Sequence, residues 1–169
     1  MRLVFNSTPL IYLAKVGLLP LLKDIPGEKL TSPGVKVEVV DKGKEKAAKD
    51  ALIIEGALQD GTLGIGKVQN ERFLHLLSKI PEIHPADAEV LALAKETGGI
   101  AVIDDRVARE AAKVYGIEHA GTAFIIYVLV SRGLISKKRA KLALSDMISS
   151  GWRCSAEQYS KMIEMIERV

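Results

Sequence analysis

Ile100-Ala101-Val102-Ile103-Asp104-Asp105 is an unbroken apolar run that ends on two adjacent carboxylates. Gly98-Gly99 stands before it as a helix stop signal, and Arg106 to Tyr115 after it carries a helical pattern. A strand that is apolar throughout and enclosed by helices has both faces covered, which is the condition of a central strand in a parallel sheet. In such sheets the carboxyl ends of the strands open on the polar site.

Working outward, short β-like runs alternate with longer helical patterns, the signature of βαβ units. Arg2 to Phe5 is a first strand, followed by a helix that Pro9 opens and Gly17 ends. Lys29 to Thr31 is a second strand, leading through Ser32 as N-cap and Pro33 into a helix that holds Glu38 just over a turn inside. Lys42 to Leu58, rich in Lys, Ala and Glu, predicts one charged helix with Ala48, Leu52 and Ile53 facing inward. Gly61 to Gly66 supplies turns around a short strand, and Glu71 to Ile80 and Pro85 to Glu96 are helices. Ile117 to His119 is a brief strand, and Thr122 to Val130, Ser136 to Ser149 and Ala156 to Ile166 are helices. The pattern predicts an α/β fold with a central parallel sheet of about four or five strands. No repeat, low-complexity tract or linker interrupts it, so residues 1–169 are expected to form a single domain.

Composition excludes several classes. The 169 residues are 48% hydrophobic, ample for a packed core, and 24 Lys and Arg against 21 Asp and Glu leave a net charge of only +3, with no basic arm. One cysteine, Cys154, rules out an internal disulfide, and with three histidines there is no Cys/His set of the kind zinc needs, so a reducing cytoplasm is expected. The opening Met-Arg-Leu-Val-Phe-Asn meets polar residues too soon for a secretion signal, and the longest apolar run, Ala123 to Val130, is too short to span a bilayer.

Four points sit at strand ends or helix starts. Asn6 follows the first strand, Glu38 lies in the helix after the second, Asp87 opens the helix before the central strand, and Asp104-Asp105 close that strand. Right-handed connections bring such points to one edge of a sheet. Two carboxylates about 5 Å apart repel by roughly 3 kcal/mol at an effective dielectric near 20, a penalty that bound Mg²⁺ or Mn²⁺ removes. A phosphodiester then completes the coordination.

These residues resemble the PIN-domain family. Val4-Phe5-Asn6-Ser7-Thr8-Pro9-Leu10-Ile11-Tyr12-Leu13-Ala14-Lys15 is similar to its first motif, Val37-Glu38-Val39-Val40 to its second, Asp87-Ala88-Glu89-Val90-Leu91-Ala92-Leu93-Ala94 to its third, and Val102-Ile103-Asp104-Asp105-Arg106 to its fourth. Gly121-Thr122 and Arg132-Gly133-Leu134-Ile135 look like the same subgroup. The resemblance implies a three-layer α/β/α sandwich and a metal-dependent endoribonuclease, often the toxin of a toxin–antitoxin pair, acting on RNA as a homodimer and silenced by a cognate antitoxin protein. It implies Asn6, Glu38, Asp87 and Asp105 as catalytic and metal-binding residues, Asp104 as an adjacent ligand, and Thr8 and Arg106 as substrate contacts. The first motif usually supplies an aspartate. Asn6 offers a carbonyl oxygen without charge, which leaves open a weakened or inactive domain that holds RNA or a protein without turnover.

Other residues have plainer readings. Glu89, two positions past Asp87, faces another side of its helix and reads as solvated. His84 and His119 read as surface or turn residues, His75 as a packed or boundary residue, and Trp152 and Cys154 as packing. Gly61 to Gly66 lacks the order of a dinucleotide fingerprint. Lys42, Lys44, Lys46 and Lys49 read as a solvated face, with an RNA guide as the alternative. Ala123 to Val130 is either internal or a dimer interface. A phospho-acceptor receiver also sets paired acids at strand ends, but its pair follows the first strand, where this chain has Asn6-Ser7.

Overall fold

Leu3, Val4 and Phe5 are all fully buried, as are Ala101, Val102 and Ile103. Consecutive side chains of a strand point to opposite faces, so both strands must be covered on both sides. The computed structural model, which describes residues 1–169, shows how. Its strands are β1 (Arg2–Phe5), β2 (Glu28–Thr31), β3 (Gly64–Ile65), β4 (Ile100–Val102) and β5 (His119–Ala120). They form one all-parallel sheet in the order β3-β2-β1-β4-β5. Leu3 pairs with Lys29 on one side and Ile100 on the other, so β1 and β4 are the central pair.

The helices are α1 (Ser7–Lys15), α2 (Pro33–Lys36), α3 (Lys42–Glu45), α4 (Lys49–Gln59), α5 (Glu71–Ser78), α6 (Pro85–Thr97), α7 (Arg106–Val114), α8 (Thr122–Ser131), α9 (Lys137–Ser149) and α10 (Ala156–Arg168), with a 3₁₀ turn at Leu19–Asp24. They flank the sheet in a three-layer α/β/α arrangement. One group joins α1 to α4 and α8, with α9 and α10 packed on α8; another joins α6 to α5, α7, β1 and β4. No helix is long and apolar enough to cross a membrane.

The chain runs from β1 outward to β2 and β3, then returns to the other side of β1 to form β4 and β5. The strand order therefore reverses between β1 and β4, and a crevice opens outside their carboxyl ends, the position where open α/β sheets bind ligands. Asn6 extends β1 by one residue, its N–H donating to Val102 O at 3.0 Å. The Thr31 hydroxyl donates to Phe5 O at 2.8 Å and ties the end of β2 to the same edge.

Two expectations need correction. Lys42 to Leu58 is not one helix: Ala47 takes a φ of 54° and separates α3 from α4. The break resets the helical register, so Ala51, Ile54 and Ala57 face inward while Leu52 and Ile53 are exposed. His75 is likewise exposed rather than packed. The helix α8 is internal to the chain, with Ile125, Ile126 and Leu129 fully buried and α1, α9 and α10 packed around it.

Candidate active site

The four motifs meet at the crevice. Asn6 is buried and extended (φ −86°, ψ 174°), and its Oδ1 accepts from Ser7 N at 2.9 Å to cap α1. Its Nδ2 donates to Asp87 Oδ1 at 2.5 Å, joining the end of β1 to the start of α6. Asp87 is the third residue of that helix, after Pro85 fixes its first turn, and its Oδ2 accepts from His84 N at 3.3 Å. The carboxylate thus also sits where the helix dipole favours an anion.

Glu38 arrives by a less regular route. Ser32 caps α2 through Val35 N at 3.2 Å, and the helix then widens into a π turn over Val37–Asp41 before α3. In that turn Val39 and Val40 are both buried while the Glu38 carboxylate stays on the crevice side, where the Ser7 hydroxyl donates to it. A π turn inside a helix commonly marks a functional position, because it re-aims side chains that a regular helix would misplace. Asp105 is the N-cap of α7, its Oδ1 accepting from Ala108 N at 2.8 Å. A cleft of about 310 Å³ is lined by Asn6, Ser7, Thr8, Glu38, His84, Asp87 and Asp105, with no apolar residue among them.

Burial lifts the Asp87 carboxyl above the ordinary aspartate range, and repulsion from Asp105 adds to this; the hydrogen bonds from Asn6 and His84 oppose it. A carboxyl raised on folding stabilises the folded chain most fully below its unfolded value of about 3.9, and that contribution is lost as pH rises through the folded value. Asp87→Asn does not titrate. In chelator, the unfolding free energy of the parent relative to Asp87→Asn is therefore expected to fall as pH rises above about 4. Denaturant titrations across this range check it, and a difference that stays flat or grows with pH contradicts it.

The donors are of the kind hard divalent cations select: three carboxylates and an amide, with no sulfur. They line one cleft without closing on one point, since no three His, Cys, Asp or Glu side chains stand close enough to hold an ion.

Thr8 lines the cleft, whereas two other candidates do not. Arg106 is 81% exposed and pairs with Glu110 at 3.3 Å, outside the cleft. Asp104 points to the opposite side of β4 from Asp105, as adjacent residues of extended backbone do. Its Oδ1 accepts from Thr122 N at 2.8 Å, and its Oδ2 accepts from Thr122 Oγ1 at 2.6 Å and Trp152 Nε1 at 2.9 Å. Gly121 permits this approach, since a Cβ there would lie 2.8 Å from Asp104 Oδ1. Asp104 thus anchors α8 and the Trp152 segment, a correction to its expected role as a ligand. Asp104→Ala is expected to cost roughly 2 kcal/mol by stranding these donors, while leaving Mn²⁺ affinity unchanged. Urea unfolding and a Mn²⁺ titration on the same variant check both halves.

Glu89 is also corrected: it is half-buried rather than solvated, and its Oε2 accepts from Gly34 N at 2.8 Å, joining α6 to α2. Ser7 and His84 are cleft residues missing from the expected set. Ser7 belongs to the small hydroxylated run before Pro9, which was a usable signal; a lone His before Pro85 was not.

A family model described as the PIN domain matches residues 2–168, and the chain belongs to that family. A comparison with curated proteins finds no match. The PIN domain is of nuclease type and typically works with divalent metal.

Proposed function

We propose that the chain is a metal-dependent endoribonuclease that hydrolyses RNA phosphodiesters in the cleft between β1 and β4. The observation that carries this reading is the gathering of Glu38, Asp87 and Asp105, from three separate elements, around an entirely polar cleft at the sheet's switch point. Burial and Asp105 together leave Asp87 reluctant to ionise, and a cation relieves that.

In this reading Glu38, Asp87 and Asp105 hold Mg²⁺ or Mn²⁺. When bound, the ion supplies charge neutralisation and Lewis-acid polarisation of a phosphoryl oxygen. The protein's own groups do the positioning. Asn6 fixes the Asp87 carboxylate through its amide, and Ser7 holds Glu38 in reserve on the cleft wall. Thr8 and His84 offer donors to the non-bridging oxygens of the phosphate from the walls they occupy. Incubation with structured RNA and Mn²⁺ is expected to yield discrete fragments, and a chelator to stop it. Intact RNA with both the parent protein and Asn6→Asp would contradict the proposal.

A second reading has one observation in its favour. The Asn6 amide already satisfies Asp87 Oδ1 without a cation, which favours a domain that has lost turnover and holds RNA or a protein instead. Chelator-insensitive RNA binding with no product would select that reading.

A further inference from the structure

Asp104 and Asp105 are consecutive, with Cα atoms about 3.8 Å apart, yet they line different hollows on the two sides of the β4 end. The hollow on the Asp104 side has a volume of about 230 Å³ and carries Arg109, Arg153 and Lys161 on its walls. Arg109 and Arg153 form no ion pair, and Lys161 pairs only with Glu157, at 2.6 Å. The one carboxylate lining this hollow, Asp104, accepts hydrogen bonds from Thr122 and Trp152 and makes no ion pair with these cations. The hollow continues into a second of about 230 Å³, shared through Arg109, Gly121, Ala123 and Met162, where Phe124 and Tyr127 make the lining apolar.

Cations followed by half-buried aromatic side chains match the order of groups in a nucleotide: a phosphate, then a base with a π face. We propose that this double hollow is a nucleotide subsite that receives the RNA residue flanking the scissile phosphate. Its phosphate rests on Arg109, Arg153 and Lys161, and its base lies against Phe124 and Tyr127. The proposal rests on the nuclease reading above, since the RNA is placed by the neighbouring acidic cleft. The subsite lies on the other side of the β4 end from that cleft, with Asp104 lining one and Asp105 the other.

The test compares the parent with the double variant Arg153→Gln, Lys161→Gln, both exposed positions whose replacement leaves the core intact. Binding of a labelled RNA hexamer is measured in chelator by fluorescence anisotropy over a range of salt, cleavage of the same hexamer by the parent is measured with Mn²⁺, and thermal unfolding of the two proteins is compared. The variant is expected to bind the hexamer about tenfold more weakly, with the slope of log K against log salt reduced by roughly 1.4 for two lost contacts on a single strand. Its thermal unfolding matches the parent's, since both positions are exposed. Unchanged hexamer binding in a variant of an active parent overturns the subsite and leaves the nuclease reading intact. A parent that cleaves no RNA overturns the nuclease reading, and the subsite with it. If a peptide of Glu and Phe residues binds the parent and is lost by a variant that still holds the hexamer, the groove is a protein site and the proposal falls.

Discussion

Glu38→Gln and Asp105→Asn are each expected to lower RNA cleavage about 1000-fold, a loss near 4 kcal/mol in transition-state stabilisation, while barely changing stability. The separation is possible because both replacements keep the local hydrogen bonds. Asparagine at 105 caps α7 through Ala108 N as aspartate does. Glutamine at 38 still offers a carbonyl oxygen to the Ser7 hydroxyl. What disappears is one of the negative charges that the proposed reading assigns to holding the cation. Thermal unfolding and single-turnover cleavage on the same preparations decide it: activity near the parent's in either variant would remove that residue from the metal set.

Asn6→Asp is expected to act in opposite directions with and without metal. In chelator the hydrogen bond from Asn6 Nδ2 to Asp87 Oδ1 is replaced by two facing carboxylates. At about 4 Å and an effective dielectric near 20 they repel by roughly 4 kcal/mol, so the variant should unfold at lower denaturant unless the pair keeps a proton. The cap on α1 survives, since aspartate accepts from Ser7 N equally well. Adding Mn²⁺ converts the repulsion into a ligand pair: stability should recover, Mn²⁺ affinity should exceed the parent's, and cleavage should rise. Equal stability of the two proteins in chelator, with equal Mn²⁺ affinity, would contradict this. The amide at position 6 would then be no substitute for a bridging cation.

Much of this was legible along the chain because strand ends are marked by abrupt changes of polarity. Phe5 to Asn6 and Ile103 to Asp104-Asp105 are such changes, and the helix signals at Ser32-Pro33 and Pro85 set Glu38 just over a turn past one helix start and Asp87 within the first turn of another. What failed depended on direction rather than position. Asp104 and Asp105 were paired as ligands, yet extended backbone sends neighbours to opposite sides, and Asp104 went to Trp152. Leu52 and Ile53 were turned outward by a helix break at Ala47 that no Gly or Pro announces. The π turn that aims Glu38 leaves no trace in composition, and Glu89 found Gly34 only because tertiary packing brings α2 beside α6.

The central claim is that Glu38, Asp87 and Asp105 converge on one divalent cation, and a crystal structure of the protein soaked in Mn²⁺ with anomalous diffraction tests it most directly. The account predicts a single strong peak between Asp87 and Asp105, with the Glu38 carboxylate released from Ser7 to reach it. No peak in that cleft at millimolar Mn²⁺, or an ion held elsewhere while Glu38 keeps its hold on Ser7, would contradict it.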